Sequence, residues 1–156
     1  MKLSPHFTTE EFEASEMAAR FGIDNRIPVS LMDEARLTAT MMEAIREALS
    51  REANEICRIN VTSAHRCLEL NRRIGSSDTS DHILMTAVDF RSPDFGTPTE
   101  IARFLVPRMS IIGIGQIILE YPDQVPWVHV SRKMPAKMVN RVITIRKTGT
   151  TVGINP

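Results

Sequence analysis

The segment Ser76–Phe90, SSDTSDHILMTAVDF, passes from a polar stretch through His82 into an apolar, strand-like run. There Asp89 stands between Val88 and Phe90. An ionised carboxylate in such surroundings costs several kcal/mol unless it is paired or bound to a metal. The segment therefore reads as a buried strand, near Ala87–Phe90, whose carboxylate has a partner.

Working outward, helical signals dominate the first half of the chain. In HFTTEEF, Thr8 with Glu11 three residues on forms a capping box that opens a short helix. SEMAARFG reads as a second short helix, stopped by Gly22. The spacing predicts the longest helix over Leu31–Arg51, with Leu31, Ala35, Thr38, Met42, Ile45 and Leu49 on one face. ICRINVTS alternates, with Ile56, Ile59 and Val61, and reads as a strand. CLELNRRIG reads as a short helix ended by Gly75. In GTPTEIARFLVPRM, Thr97 caps, Pro98 fits the first turn and Glu100 sits at the third position. After GIG come three strand-like runs, QIILEY, WVHVSRK and RVITIRK. Helices first and a mostly antiparallel sheet after them give an α+β class, and the 156 residues fit one domain over 1–156.

Composition narrows the function classes. Lys plus Arg and Asp plus Glu number 19 each, so no global field favours nucleic acid or an anionic membrane. Arg141, Arg146 and Lys147 form a local basic run, but its alternation reads as a strand with a wet face. No apolar run approaches the roughly 20 residues that span a bilayer, and the N-terminus has no apolar signal-peptide core. Synthesis in the cytoplasm is therefore expected, with any target outside it reached by another route. Cys57 and Cys67 are too few for a disulfide framework or a zinc knuckle and read as buried or idle thiols.

A zinc ion would meet the cost of burying Asp89, with His82 reaching in as a second ligand. Catalytic zinc takes three protein ligands and leaves one position for water. WVHVSR offers the third: His129, between Val128 and Val130, leaves the strand on the face shared with Trp127 and Ser131. A lone strand histidine is more often a satisfied imidazole; a His, Asp and His set from three places shifts the balance toward a site.

The run VTSAHRCLELNRRIGSSDTSDHILMTAVDF resembles the core motif of the zinc D-Ala-D-Ala carboxypeptidase and L-alanyl-D-glutamate endopeptidase family. Ser63, Arg66, Leu70, Asn71, Ser80, His82, Ala87 and Asp89 stand at the matching positions. WVHVS is similar to the family's second signature, and LSPHFTTEEFEASEMAARFGIDN resembles its small phage-type branch. The resemblance implies N-terminal helices on a mostly antiparallel sheet carrying zinc, the hedgehog/D-Ala-D-Ala peptidase type of fold. It implies hydrolysis of a peptidoglycan stem-peptide bond involving a D-amino acid, by a phage- or prophage-encoded protein. His82, Asp89 and His129 would bind Zn2+; Arg66 would hold or polarise substrate, with Ser80 and Trp127 beside it. Without the motif, a solvated strand-end arginine is the plainer reading of Arg66.

A general base is also needed. Glu120, at the end of QIILE, is favoured because the family's acid follows such a strand; a strand-terminal salt bridge is the competing reading. Asp123, in the turn YPDQVP, is the second choice. Three positions depart from the family. Met85 stands where glycine is usual, so the loop bends differently or packs a larger side chain. His65 replaces an aromatic, as a further polar group at the site or an exposed one. Trp127 stands where many relatives have histidine and reads as a cleft wall. Met85 and Trp127 favour a rival expectation, a weak or inactive zinc-binding relative serving as a phage or cell-wall structural module. A metal-free binding domain is a third.

Overall fold

The computed structural model describes residues 1–134 and 140–156. The chain begins with helices α1 (Thr9–Glu13) and α2 (Glu16–Phe21), then the long helix α3 (Met32–Ala53). Strand β1 (Asn60–Ser63), helix α4 (Leu68–Arg73) and strand β2 (Ala87–Arg91) follow. Helices α5 (Pro98–Leu105) and α6 (Met109–Ile112) lead into β3 (Ile114–Tyr121), β4 (Trp127–Arg132), β5 (Arg141–Arg146) and β6 (Gly149–Val152). Among the described residues the strands form one sheet, ordered β1-β2-β4-β3-β5-β6. Only the β3–β5 pair is parallel, so α+β with a mostly antiparallel sheet is the observed architecture.

Local signals set the helix ends. Thr8 and Thr97 each close a capping box, with Glu11 and Glu100 respectively. Gly22, at φ 65°, ends α2 in the left-handed conformation that costs glycine least. Cys67 caps α4 through its sulfur, which accepts from the Leu70 N–H, and Cys57 is buried. Ala35, Thr38, Met42, Ile45 and Leu49 of α3 are all buried, as the spacing predicts.

Three differences from the sequence expectation have physical causes. The first strand is shorter than ICRINVTS, because side chains claim the backbone donors that a neighbouring strand would need. The Cys57 N–H donates to Ser50 Oγ and the Arg58 N–H to Asp94 Oδ2, leaving Ile56 exposed. The turn α6 and the strand β6 carry weak signals: α6 has four residues, and β6 is exposed throughout. Gly115 sits at an irregularity in the β3–β4 ladder, where an added Cβ would lie 2.9 Å from Lys133 Cα. Only glycine allows that approach.

The core lies on one face of the sheet. Val88, Phe90, Ile117, Val128 and Val130 join α3 residues and Ile101, Ala102 and Leu105 of α5 in one buried cluster. Strand alternation then sends Asp89, Ile118, Glu120, Trp127 and His129 to the other face. Among the described residues no helix is long and apolar enough to cross a membrane.

Candidate metal centre

On that second face Asp89 and His129 are direct cross-strand partners between β2 and β4. His129 Nδ1 lies 2.8 Å from Asp89 Oδ1. His82 comes from the loop between α4 and β2 and brings Nε2 to 3.3 Å from Asp89 Oδ2 and 3.2 Å from His129 Nδ1. All three residues are buried, and their ligand atoms lie within 4.8 Å of one another.

The donor set fits a zinc ion. Ligands about 2.0–2.1 Å from a tetrahedral zinc stand roughly 3.3 Å from each other, close to the separations of 2.8, 3.2 and 3.3 Å found here. Hydrogen bonds behind the ligands agree. His82 Nδ1 donates to the Ala64 carbonyl at 2.6 Å, which leaves the Nε2 lone pair facing inward. His129 Nε2 lies 2.9 Å from Ser131 Oγ, a partner for its outer N–H. Two bare imidazole nitrogens and a carboxylate aimed at one point are satisfied together by a shared cation.

Electrostatics point the same way. Burial is the largest influence on His82 and pushes its imidazole down, toward the neutral form that ligates metals. For Asp89 burial works upward, yet His82 and His129 outweigh it and hold the carboxyl well below the usual range.

The His82 loop owes its shape to several tertiary bonds. Buried Asn71 donates to the Ser77 carbonyl at 2.8 Å, and Thr38 of α3 donates to the Met85 carbonyl at 2.7 Å. Met85 has φ +59° and its side chain is buried in the core cluster. The loop thus bends as a glycine would let it and also packs the larger side chain. The left-handed conformation costs an ordinary residue about 1–2 kcal/mol, less than burying a methionine side chain gains.

Around the three ligands the cleft has two lobes that share Arg66. One, of about 520 Å³, is lined by His82, Ser80, His129, Glu120 and Arg141. The other, of about 630 Å³, is lined by Asp89, Trp127, Val61, Leu70 and Met17. Arg66 is mostly buried, with one terminal nitrogen 4.0 Å from Asp89 Oδ2 and a buried Nε that has no hydrogen-bond partner. Glu120 pairs across the ladder with Trp127, two positions along from the Ile118–His129 pair and so on the same face. Burial raises its carboxyl pKa, the nearby Asp89 charge raises it further, and His129, Arg66 and Trp127 pull it back.

Arg66, Ser80, Glu120 and Trp127 therefore gather round the candidate ligands, and Asp123 does not. Its turn carries it into solvent, where Lys147 Nζ pairs with it at 2.5 Å. His65 corrects the reading of an exposed group: it is 2% exposed, and neither ring nitrogen has a hydrogen-bond partner. Burial, and then the neighbouring His82, lower its pKa to about 4, so it fills space as a neutral aromatic ring. Sequence reasoning missed the Ala64 carbonyl as the group that orients His82, since a main-chain acceptor leaves no trace in residue type.

The model of a family described as Peptidase M15 matches residues 5–131. No curated protein matches the chain significantly.

Proposed function

The chain belongs to the peptidase M15 family, that of the zinc D-Ala-D-Ala carboxypeptidases, and from that premise we propose how its zinc metallopeptidase site works and on what. The substrate proposed is a peptidoglycan stem peptide, cut at a bond involving a D-amino acid. The observation that carries the reading is the convergence of His82 Nε2, Asp89 and His129 Nδ1 in a buried cluster beside Arg66 and Glu120.

His82, Asp89 and His129 would hold zinc, which when bound would supply a Lewis acid that polarises a carbonyl and brings the pKa of water toward roughly 7. Glu120 takes a proton from the attacking water and delivers it to the leaving amine as the C–N bond breaks. Its raised pKa suits a group that must both accept and release that proton. Arg66 turns its terminal N–H groups to the substrate carbonyl, where negative charge develops. Ser80 and Trp127 line the two lobes and position the peptide on either side. The fold is read as of the hedgehog/D-Ala-D-Ala peptidase type, one domain over 1–156, in a protein of phage origin that acts on the wall.

The rival inactive relative drew on Met85 and Trp127. Met85 keeps the loop geometry that glycine would give, and Trp127 borders the open lobe. The test is incubation of the zinc-loaded protein with purified peptidoglycan. New amino termini should appear, and Glu120→Gln should slow their release about 10²–10⁴-fold while zinc stays bound. Wild-type protein that releases none would leave the structural-module reading standing.

A further inference from the structure

Arg66 lies on a loop with no strand or helix of its own. β1 ends at Ser63 and α4 begins at Leu68. Its neighbours are nevertheless tied down on both sides by one side chain, that of Asn25. Asn25 Nδ2 donates to the His65 carbonyl at 3.0 Å and to the Glu13 carbonyl at 2.9 Å. Its Oδ1 accepts from the Cys67 N–H at 2.9 Å. The amide thus spends both N–H groups and its oxygen on main chain, two of the three bonds bracketing Arg66.

Asn25 is itself 6% exposed and firmly held. The Ile27 N–H two residues on donates to Glu13 Oε1 at 2.9 Å, and the His65 N–H donates to the Phe12 carbonyl at 2.8 Å. The end of α1 and Asn25 together form a buttress behind the loop. Without the amide, a buried carbonyl and a partly buried N–H on either side of Arg66 would lose their partners and turn elsewhere.

We propose that Asn25 is a positioning residue for Arg66: it fixes the backbone from which the guanidinium reaches the cleft. The mechanism asks Arg66 for accurate placement, and a displacement near 1 Å at a reacting centre is worth about 100-fold. This inference rests on the reading that Arg66 acts on substrate, and the experiment separates the two.

Kinetics on soluble muropeptides would use the zinc-loaded full chain in a double-mutant cycle of Asn25→Ser and Arg66→Ala. Asn25→Ser should lower kcat/KM about 10–100-fold with zinc stoichiometry kept, and should cost nothing further once Arg66 is alanine. Equal losses in both backgrounds would overturn the inference, because a general structural role behaves that way. If Arg66→Ala leaves hydrolysis unchanged, or wild type shows none, the reading of Arg66 has failed, and a second measurement judges Asn25 alone. The Arg66 Nε–H resonance, assigned by nitrogen-15 NMR, should be rigid and slow to exchange in wild type and mobile in Asn25→Ser. An unchanged resonance would sink the proposal with or without activity. If Asn25→Ser does not fold, Asn25→Asp serves, since it keeps the acceptor for the Cys67 N–H and loses both donors.

Discussion

The two faces of strands β2 and β4 obey different rules. Toward α3 and α5, Val88, Phe90, Val128 and Val130 belong to a core that is judged by volume. On the opposite face Asp89 and His129 are judged by where a lone pair points, and a single residue along the strand separates the two. A change on one face should leave the other nearly intact, and this separation can be broken or sharpened by experiment.

The largest effect is expected on the polar face. Asp89→Ala should remove stoichiometric zinc and bring hydrolysis to background while circular dichroism still reports the fold; metal analysis with peptidoglycan assays checks this. Next comes the adjacent residue on the other face. Phe90→Ala should cost about 3–5 kcal/mol of stability, read by denaturant titration, yet the folded fraction should bind zinc with unchanged affinity. Coupled loss of both properties would show the faces are not independent.

His65 sharpens the contrast, because it is an imidazole obeying the rule of volume. Its folded pKa of about 4 lies below the ordinary histidine value, so the unfolded chain takes up a proton first as pH falls. The stability it permits is complete above about pH 6.5 and is lost on descending toward about pH 4. In that window metal-stripped wild type should lose up to about 1.4 kcal/mol more per pH unit than His65→Phe. Parallel stability curves for the two proteins would contradict the assignment. The smallest effect concerns Met85. Met85→Ala and Met85→Gly should both destabilise through the lost side chain, but glycine should be the milder by about 1 kcal/mol. Equal losses in thermal melts would mean that the positive φ carries no strain.

Much of this was legible in the sequence, for reasons the two faces explain. A period of two in AVDF and WVHVSR puts valines on one side and Asp89 or His129 on the other, so sheet, core and two candidate ligands could be read together. His82 was legible from its place just ahead of the Asp89 strand, whereas Arg66 needed the ordered motifs around it, since a loop residue carries no period. The remaining features depend on main chain or on contacts distant in sequence. Side chains of Ser50 and Asp94 shorten β1 by capturing backbone donors. The fate of Asp123 depends on Lys147, 24 residues away. Lys147 and Thr148 join β5 to β6 without the Asn-Gly signature that would mark a hairpin.

One arrangement has a thermodynamic consequence. His82 gives its ring proton to the Ala64 carbonyl, and its own carbonyl receives the Arg66 N–H at 3.3 Å. The ring that grips the ion and the residue offered to the peptide thus share one lattice of main-chain bonds. Ordering either end lowers the entropy left for the other to lose, so occupancy by ion and by peptide should be reciprocally cooperative.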